Sequence, residues 1–440
     1  MLVIADDWSP IAGCYGNEVI RTPHIDGLAA QGTVFDRAFC CSPSCAVSRA
    51  TILTGLHVHT HGQYGHCQTI HGFRTHEHVQ SIPRVLRRLG FKTACIGKKH
   101  VEPSVVYPFE HEDLAGANSA TGQATVDFLQ RIGDAPFYVH VAPTYPHRVG
   151  QAYGLENQAD DFEDMVYDPS DVIVPEFLPD IPPVRQDLAN YYGAISRYDQ
   201  CVGAQLRALE ASGRAAETLV LVMTDHGMPF PSGKACSFDS GHHSPLIMRQ
   251  PGQPRCGVRC QALVDWTCVA PTVYDWCGIP HEDVPEDLPG RSLLPILDQD
   301  NPSGWDRVIF SHCFHEITGY FPYRVLRGCR YKYVRNLAYP LKQAIPGDLF
   351  RSISWQGVVD HELQTMGKRP LDGFLHRDRE QLFDFQEDPL ETTNRFDDPA
   401  LADVVAEMRR ELFDFRIRTH DPWLEIDFQE GESAAPDISW

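Results

Sequence analysis

Cys45-Ala-Val-Ser-Arg49, running on into Ala50-Thr51-Ile52-Leu53-Thr54-Gly55, places a thiol at the mouth of a short apolar helix, with a guanidinium one turn in. A helix N-terminus offers unpaired backbone N–H groups and a partial positive charge, which suits an anionic reacting centre. Arg49, at i+4 from Cys45, shares its helix face and can hold a nucleophile there. The spacing carries little alone, because the chain has 14 cysteines. Its weight comes from polar residues that follow several apolar runs.

In open α/β sheets, ligands gather at the carboxyl ends of the strands. Leu2–Ala5 runs into Asp6-Asp7, and Phe91–Ile96 runs into Lys98-Lys99-His100. Phe137–Ala142 leads to His147, and Thr218–Met223 leads to Asp225-His226. Adjacent carboxylates after a buried strand repel one another unless a cation lies between them. A hard divalent ion on Asp6, Asp7 and Asp225 answers that, with Ca²⁺, Mg²⁺ or Mn²⁺ the candidates. The alternative for a single Asp is a capped turn. Two lysines and two histidines converging on such a site suit a tetrahedral oxyanion: lysine as a mobile point charge, histidine for proton transfer. His57, His59, His61, His66, His71, His76 and His78 warn against overreading any one histidine, the alternative being a merely histidine-rich, solvated loop, and no zinc is assigned.

These strand ends need a large scaffold, and 440 residues supply one, with a big domain and a smaller one expected. Hydrophobic content of 42% and charged content of 22% describe an ordinary globular chain. The formal charge of −21 argues against nucleic-acid binding. It also requires any anionic substrate to be met by a local basic cluster. No apolar run approaches the roughly 18–20 residues that span a bilayer. The opening Leu2-Val3-Ile4-Ala5 reads as a core strand, with no signal-peptide pattern. The expected location is cytoplasmic, or periplasmic if the N-terminus was trimmed. Scattered cysteines without zinc-type spacing suggest reduced, buried thiols, with a few disulfides as the alternative.

The four apolar runs are continuous, as in a sheet covered on both faces. Ser81 to Leu89 reads as a helix ended by Gly90. Val184 to Ala211 follows Pro182-Pro183 and carries Leu188, Tyr191, Ile195, Tyr198, Val202, Leu206 and Leu209 at helical spacing, a stripe packed on the sheet. This alternation predicts an α/β sandwich with a largely parallel sheet. After Gly290-Arg291-Ser292-Leu293-Leu294 the texture changes. Val308–His312, Tyr323–Leu326 and Tyr331–Val334 read as short antiparallel strands, followed by a helix near 401–418. The expectation is a smaller α+β domain joined near residue 300, with no internal repeats.

Taken together, these motifs resemble the type I sulfatase family of the alkaline-phosphatase superfamily. The similar elements are Asp6-Asp7, C-x-x-S-R followed by T-G, Gly97-Lys98-Lys99-His100, and Thr224-Asp225-His226-Gly227. Leu382-Phe383-Asp384 with Asp388-Pro389 and Glu391 is similar to the family's C-terminal domain. Its sulfamidase-like members are further resembled at Val106-Tyr107-Pro108-Phe109, Tyr167-Asp168-Pro169, Pro229 to Gly233, and Thr419-His420-Asp421-Pro422-Trp423.

The resemblance implies an alkaline-phosphatase-like sandwich, with a sulfatase catalytic domain over 1–300. It also implies a C-terminal α+β domain over 301–440 that contributes to substrate binding. The implied activity is hydrolysis of a sulfate ester or sulfamate of a sugar, or of another small organosulfate. Cys45 would be oxidised to formylglycine by a maturase and held by Arg49. Asp6, Asp7, Asp225 and His226 are the implied ligands of one divalent metal, calcium favoured over manganese or magnesium. Lys98 and His100 would contact the sulfate and the hydrated aldehyde, while His147 and Lys234 would face the leaving group. A homodimer is also implied.

Two positions depart from the family pattern. Val47 stands where the maturation signal C-x-P-x-R has proline, or alanine in some bacterial forms. The competing Cys41-Ser42-Pro43-Ser44-Cys45 has the proline but lacks the arginine. His226 stands where many sulfatases have asparagine; Asp-His also occurs in phosphonate and phosphodiester hydrolases of the superfamily. His312, His315, Glu316, Tyr320 and Arg324 read either as a substrate-binding rim or as ordinary surface and strand residues. The competing functions are a phosphonate or phosphodiester hydrolase, and a non-catalytic module that binds sulfated glycans.

Overall fold

A computed structural model describes residues 1–149, 154, 162–163 and 165–429. Eight strands form the main sheet: β1 (Leu2–Ala5), β2 (Thr33–Phe39), β3 (Lys92–Gly97), β4 (His111–Asp113), β5 (Phe137–Ala142), β6 (Val220–Thr224), β7 (Leu246–Arg249) and β8 (Val258–Asp265). Their order is β4-β3-β5-β1-β6-β7-β2-β8, and only β7 runs against its neighbours. The mostly parallel sheet expected from the alternating pattern is present.

Successive residues of β1 serve opposite faces, as strand geometry requires. Val3 and Ala5 join one core, and Leu2 and Ile4 join the other. The helix Pro182–Ala211 covers the first face with Leu188, Tyr191, Ile195, Tyr198, Val202 and Leu209. On the second face lie the helices Cys45–Thr54, Ile82–Arg88 and Val269–Trp276. Ser81 caps its helix by accepting from the Arg84 N–H, and Gly90 follows in a left-handed conformation.

The apolar runs located four strands of this sheet. β2 and β8 interrupt their apolar residues with Asp36, Arg37, Arg259 and Gln261, and β4 is a polar edge strand. None of these three gives a continuous signal, and β7, which the runs also miss, is only four residues long.

A second, antiparallel sheet is built from β9 (Arg307–Phe314), β10 (Tyr320–Gly328) and β11 (Tyr331–Asn336). After a two-residue ladder of β12 (Thr365–Met366) and β13 (Arg369–Pro370), β14 (Glu380–Asp384) completes it in the order β14-β11-β10-β9. The helix Ala402–Arg418 packs on it through Val405, Met408, Leu412 and Phe415. The sheets are not insulated from each other. Phe39, Phe238 and Leu263 share one cluster with Phe310, Phe321 and Val325, and the Ser311 N–H donates to the Cys41 carbonyl at 2.9 Å. Of the region expected over 301–440, residues 430–440 lie outside the described residues. All fourteen cysteines are free. Among the described residues, no helix is long and apolar enough to cross a membrane.

Beneath β10 lies a buried ion network. Arg324 grips Asp421 with Nε and Nη2, both at 2.8 Å, and Arg416 reaches the same carboxylate at 2.8 Å. Arg416 also meets Asp427, which pairs in turn with Arg335 on β11. Burial alone would raise the Asp421 carboxyl, but Arg324 leads the groups that hold it well below the usual range. Removing one partner from such a network leaves an uncompensated buried charge. Asp421→Asn should therefore cost about 3–5 kcal/mol of stability, read as a fall in urea midpoint. Because the folded carboxyl titrates low, its contribution should be complete above about pH 4 and decline only as pH falls further.

Candidate active site

The β1–β6 register sets the centre of the site. Ala5 pairs with Thr224, so the residues that follow, Asp6 and Asp225, emerge side by side. Gly97 ends β3 with φ of 88°, and a Cβ there would lie 2.3 Å from the Ala142 carbonyl oxygen. Only glycine lets the chain pass so close to β5 and deliver Lys98. Asp7 has a left-handed backbone, φ 73°, held by Tyr191, whose hydroxyl donates to the Asp7 carbonyl at 2.7 Å. Asp225 Oδ1 accepts the backbone N–H groups of Asp7 (3.0 Å) and His226 (2.9 Å). His100, Ser232 and Ala235 are also left-handed, so four of these uncommon conformations lie in or beside the site.

Arg49 closes the centre from the helix side. Nη2 lies 3.2 Å from Asp6 Oδ1, Nε lies 3.1 Å from Asp225 Oδ2, and Nη1 donates to the Lys98 carbonyl at 3.1 Å. Cys45 Sγ sits 3.2 Å from His226 Nε2 and 3.8 Å from Asp7 Oδ1. Lys98 Nζ meets Asp6 Oδ2 at 2.6 Å, and Lys234 Nζ bridges Asp7 Oδ2 and Asp348 Oδ2, both at 2.9 Å. Arg369 steadies the turn before Lys234 by donating to the Ser232 hydroxyl at 2.7 Å. His147 Nε2 lies 3.8 Å from Asp7, with Nδ1 committed to the Arg148 carbonyl at 2.5 Å.

The electrostatics follow from burying so many charges together. Burial would raise the Cys45 thiol, but Lys234, Lys98 and His226 outweigh it and hold it well below its usual value. Asp6 is likewise opposed by burial, yet Lys98 and its other cationic neighbours keep it low. Asp7 is pushed up by burial, and Asp225 is pushed up to about 7 by burial aided by Asp6 and Cys45. His226 is drawn up to about 9, because Asp225 and Cys45 more than offset its burial. Asp6, Asp7 and Asp225 each offer an oxygen within 4.8 Å of the others. Three buried carboxylates at that spacing form a hard-oxygen set that fits a divalent cation. His226 Nδ1 faces the Gly227 carbonyl at 3.0 Å, an arrangement that leaves Nε2 as a ligand atom toward Asp7.

Val47 has a packing role. Its side chain is buried in a small apolar cluster with Val58 and Cys313. Cys41 belongs to the core beneath the sheet, among Cys40, Trp266 and Cys268.

The five rim candidates separate. His315 comes close to position 45, with Nδ1 3.0 Å from the hydroxyl of the preceding Ser44. His312 is buried behind it, with Nδ1 2.9 Å from the Ser42 hydroxyl, and stacks on Tyr323. Glu316 and Tyr320 are half-buried, and Tyr320 accepts from Trp423 Nε1 at 3.0 Å. Arg324 is not at the rim: it is 0% exposed and spent on Asp421 and backbone carbonyls. Its replacement therefore removes a core ion pair rather than a substrate contact. Two site residues were not singled out from sequence. Asp348 arrives on the short helix Gly347–Phe350 with no motif around it, and His66 was submerged among neighbouring histidines.

The sulfatase family profile matches residues 1–279, and the profile for the C-terminal part of N-sulphoglucosamine sulphohydrolase matches residues 232–341. Human N-sulphoglucosamine sulphohydrolase is 35% identical over 459 aligned positions, covering 96% of this chain and 91% of the human protein. An ulvan-active sulfatase of Formosa agariphila is 27% identical, covering 91% of this chain and 76% of that protein. A solved structure described as a complex with its substrate, D-glucosamine-2-N,6-O-disulfate, superposes with a TM-score of 0.69 at 18% identity. It covers 96% of this chain and 98% of its own. The phosphonate monoester hydrolase of Agrobacterium radiobacter gives 0.67 at 20% identity, covering 95% of each chain. These two structures establish the shared fold, and the sequence matches establish the rest: the chain belongs to the sulfatase family.

Proposed function

We propose that this protein is a sulfohydrolase that removes a sulfuryl group from a sulfated sugar, with a sulfated glucosamine the favoured substrate class. The observation that carries this reading is the convergence of Lys98, Lys234, His147 and three buried carboxylates on position 45. The similarity to N-sulphoglucosamine sulphohydrolase supports the choice of sugar. A divalent ion on Asp6, Asp7, Asp225 and His226, with calcium favoured by the carboxylates, would supply Lewis-acid stabilisation of sulfuryl oxygens. Formylglycine at position 45 would supply a hydrated aldehyde as nucleophile.

The chain's own residues do the remainder. Arg49 fixes Asp6 and Asp225 and supports the helix that bears position 45. Lys98 and Lys234 offer N⁺–H donors to the sulfuryl oxygens, the kind of preorganised contact that contributes most to such reactions. His147 Nδ1 lies on the Arg148 carbonyl, and Nε2, which faces Asp7, is the atom proposed to exchange a proton with the departing nitrogen or oxygen. His100 is proposed to take a proton from the remaining hydroxyl, so that sulfate departs without water attacking a sulfated enzyme.

Peptide mass spectrometry across residue 45, after co-expression with a formylglycine-generating maturase, should give the aldehyde mass rather than the thiol. Cys45→Ala should abolish turnover with an unchanged melting temperature, and Lys98→Ala should lower kcat by about 10²–10³. N-sulfated glucosamine should be turned over in preference to an O-sulfated sugar or a phosphodiester. Preference for the phosphodiester would assign the alternative reaction that His226 keeps open.

Metal dependence has its own signature. Adding Ca²⁺ to chelator-stripped protein should stabilise it by about 2.7 kcal/mol at a hundredfold excess over Kd. Asp7→Asn should erase that response, and calorimetry in both states checks it.

A further inference from the structure

The loop after the helix Val58–His61 brings an additional imidazole over the nucleophile. The His66 N–H donates to the His315 carbonyl at 3.0 Å, and its carbonyl accepts from Phe73 N–H at 3.1 Å, so the residue is fixed on both sides. Its ring lies 4.2 Å from that of His315 and 5.0 Å from that of His100. His66 is 7% exposed, and its buried Nε2 has Cys45 as the side chain it meets. Burial lowers its proton affinity, and Cys45 is the neighbour that most opposes this. Lys234 and Lys98 are the cations it faces.

Gln68 connects this ring to His100. Its Nε2 lies 3.3 Å from His66 Nδ1, while its Oε1 meets His100 Nε2. A primary amide has one donating and one accepting end, so in this orientation it favours complementary tautomers of the two imidazoles. The amide N–H donates to His66 Nδ1, which leaves the ring proton on Nε2. The amide oxygen accepts from His100 Nε2–H, which leaves Nδ1 of His100 bare; that atom is buried without a partner. One ring therefore presents a proton and the other a lone pair.

We infer that His66 is a catalytic residue that donates from Nε2–H to the sulfuryl group seated against position 45, and that Gln68 is the positioning residue fixing this tautomer and the opposite one at His100. The inference rests on the sulfohydrolase reading. It assigns His66 to stabilising charge as it develops on sulfuryl oxygens, beside Lys98 and Lys234. It also explains why a buried imidazole is aimed at position 45.

The test compares His66→Gln, whose amide can place an N–H near the Nε2 position, with His66→Leu, which fills the space without a donor. His66→Leu should lower kcat/KM about 10²–10³-fold and weaken competitive inhibition by inorganic sulfate, while His66→Gln stays within about tenfold of the parent. Gln68→Leu should lower kcat and alter the pH profile of kcat, because neither ring then has a favoured tautomer. Melting temperatures check that each variant is folded. Parental kcat/KM within twofold in His66→Leu, or equal losses in the two His66 variants, overturns the inference. If His66→Leu fails to fold, an unchanged pH profile in Gln68→Leu does the same. Failure of the parent enzyme on every sulfated substrate would instead sink the sulfohydrolase reading.

Discussion

Three carboxylates share one dry pocket here, and three cations threaded between them make the pocket possible. Arg49 spans Asp6 and Asp225, Lys98 holds the other oxygen of Asp6, and Lys234 holds Asp7. Desolvating these groups singly would be prohibitive, so they are buried as a set or not at all. The β1–β6 register, the close pass at Gly97 and the left-handed turn at Asp7 all serve to bring that set together. The balance is incomplete by design. Asp7 and Asp225 are still pushed upward, which is the electrostatic condition under which a divalent ion is most welcome.

The two sheets meet at this pocket. The main sheet supplies carboxylates, Lys98 and the helix of position 45, while the antiparallel half supplies Asp348 and His315. Sharing the cluster of Phe39, Phe238, Phe310 and Phe321 fixes their relative placement. Lys234 sits at the junction, paired on one side with Asp7 from the first part and on the other with Asp348 from the second. The spacing of the groups on either side is therefore set by a common core.

How much of this was legible in the sequence depended on whether the signal was local. A parallel sheet buried on both faces writes continuous apolar runs, and Leu2–Ala5 and Phe137–Ala142 coincide with β1 and β5 at both ends. Polar residues right after such runs are conspicuous, which is why Asp6, Asp7, Lys98 and Asp225 could be singled out. Asp348 and His66 could not, since each acquires its meaning from a partner far away in the chain. Arg324 shows the same limit in reverse. Its exposure to substrate was a reasonable expectation for a strand residue beside a rim, and only Asp421, 97 positions later, reveals that it is spoken for. β4 and the interrupted β2 and β8 escaped because edge position and alternation dilute the apolar pattern.

The latch formed by Asp421 and Asp427 has a consequence for synthesis. A ribosome delivers Arg324 and Arg335 about ninety residues before the acids that neutralise them. Until those acids emerge, β10 and β11 carry guanidinium groups that oppose their own burial, and the sheet has reason to stay open. Burial of Arg324 and Arg335 is thereby tied to the emergence of Asp421 and Asp427.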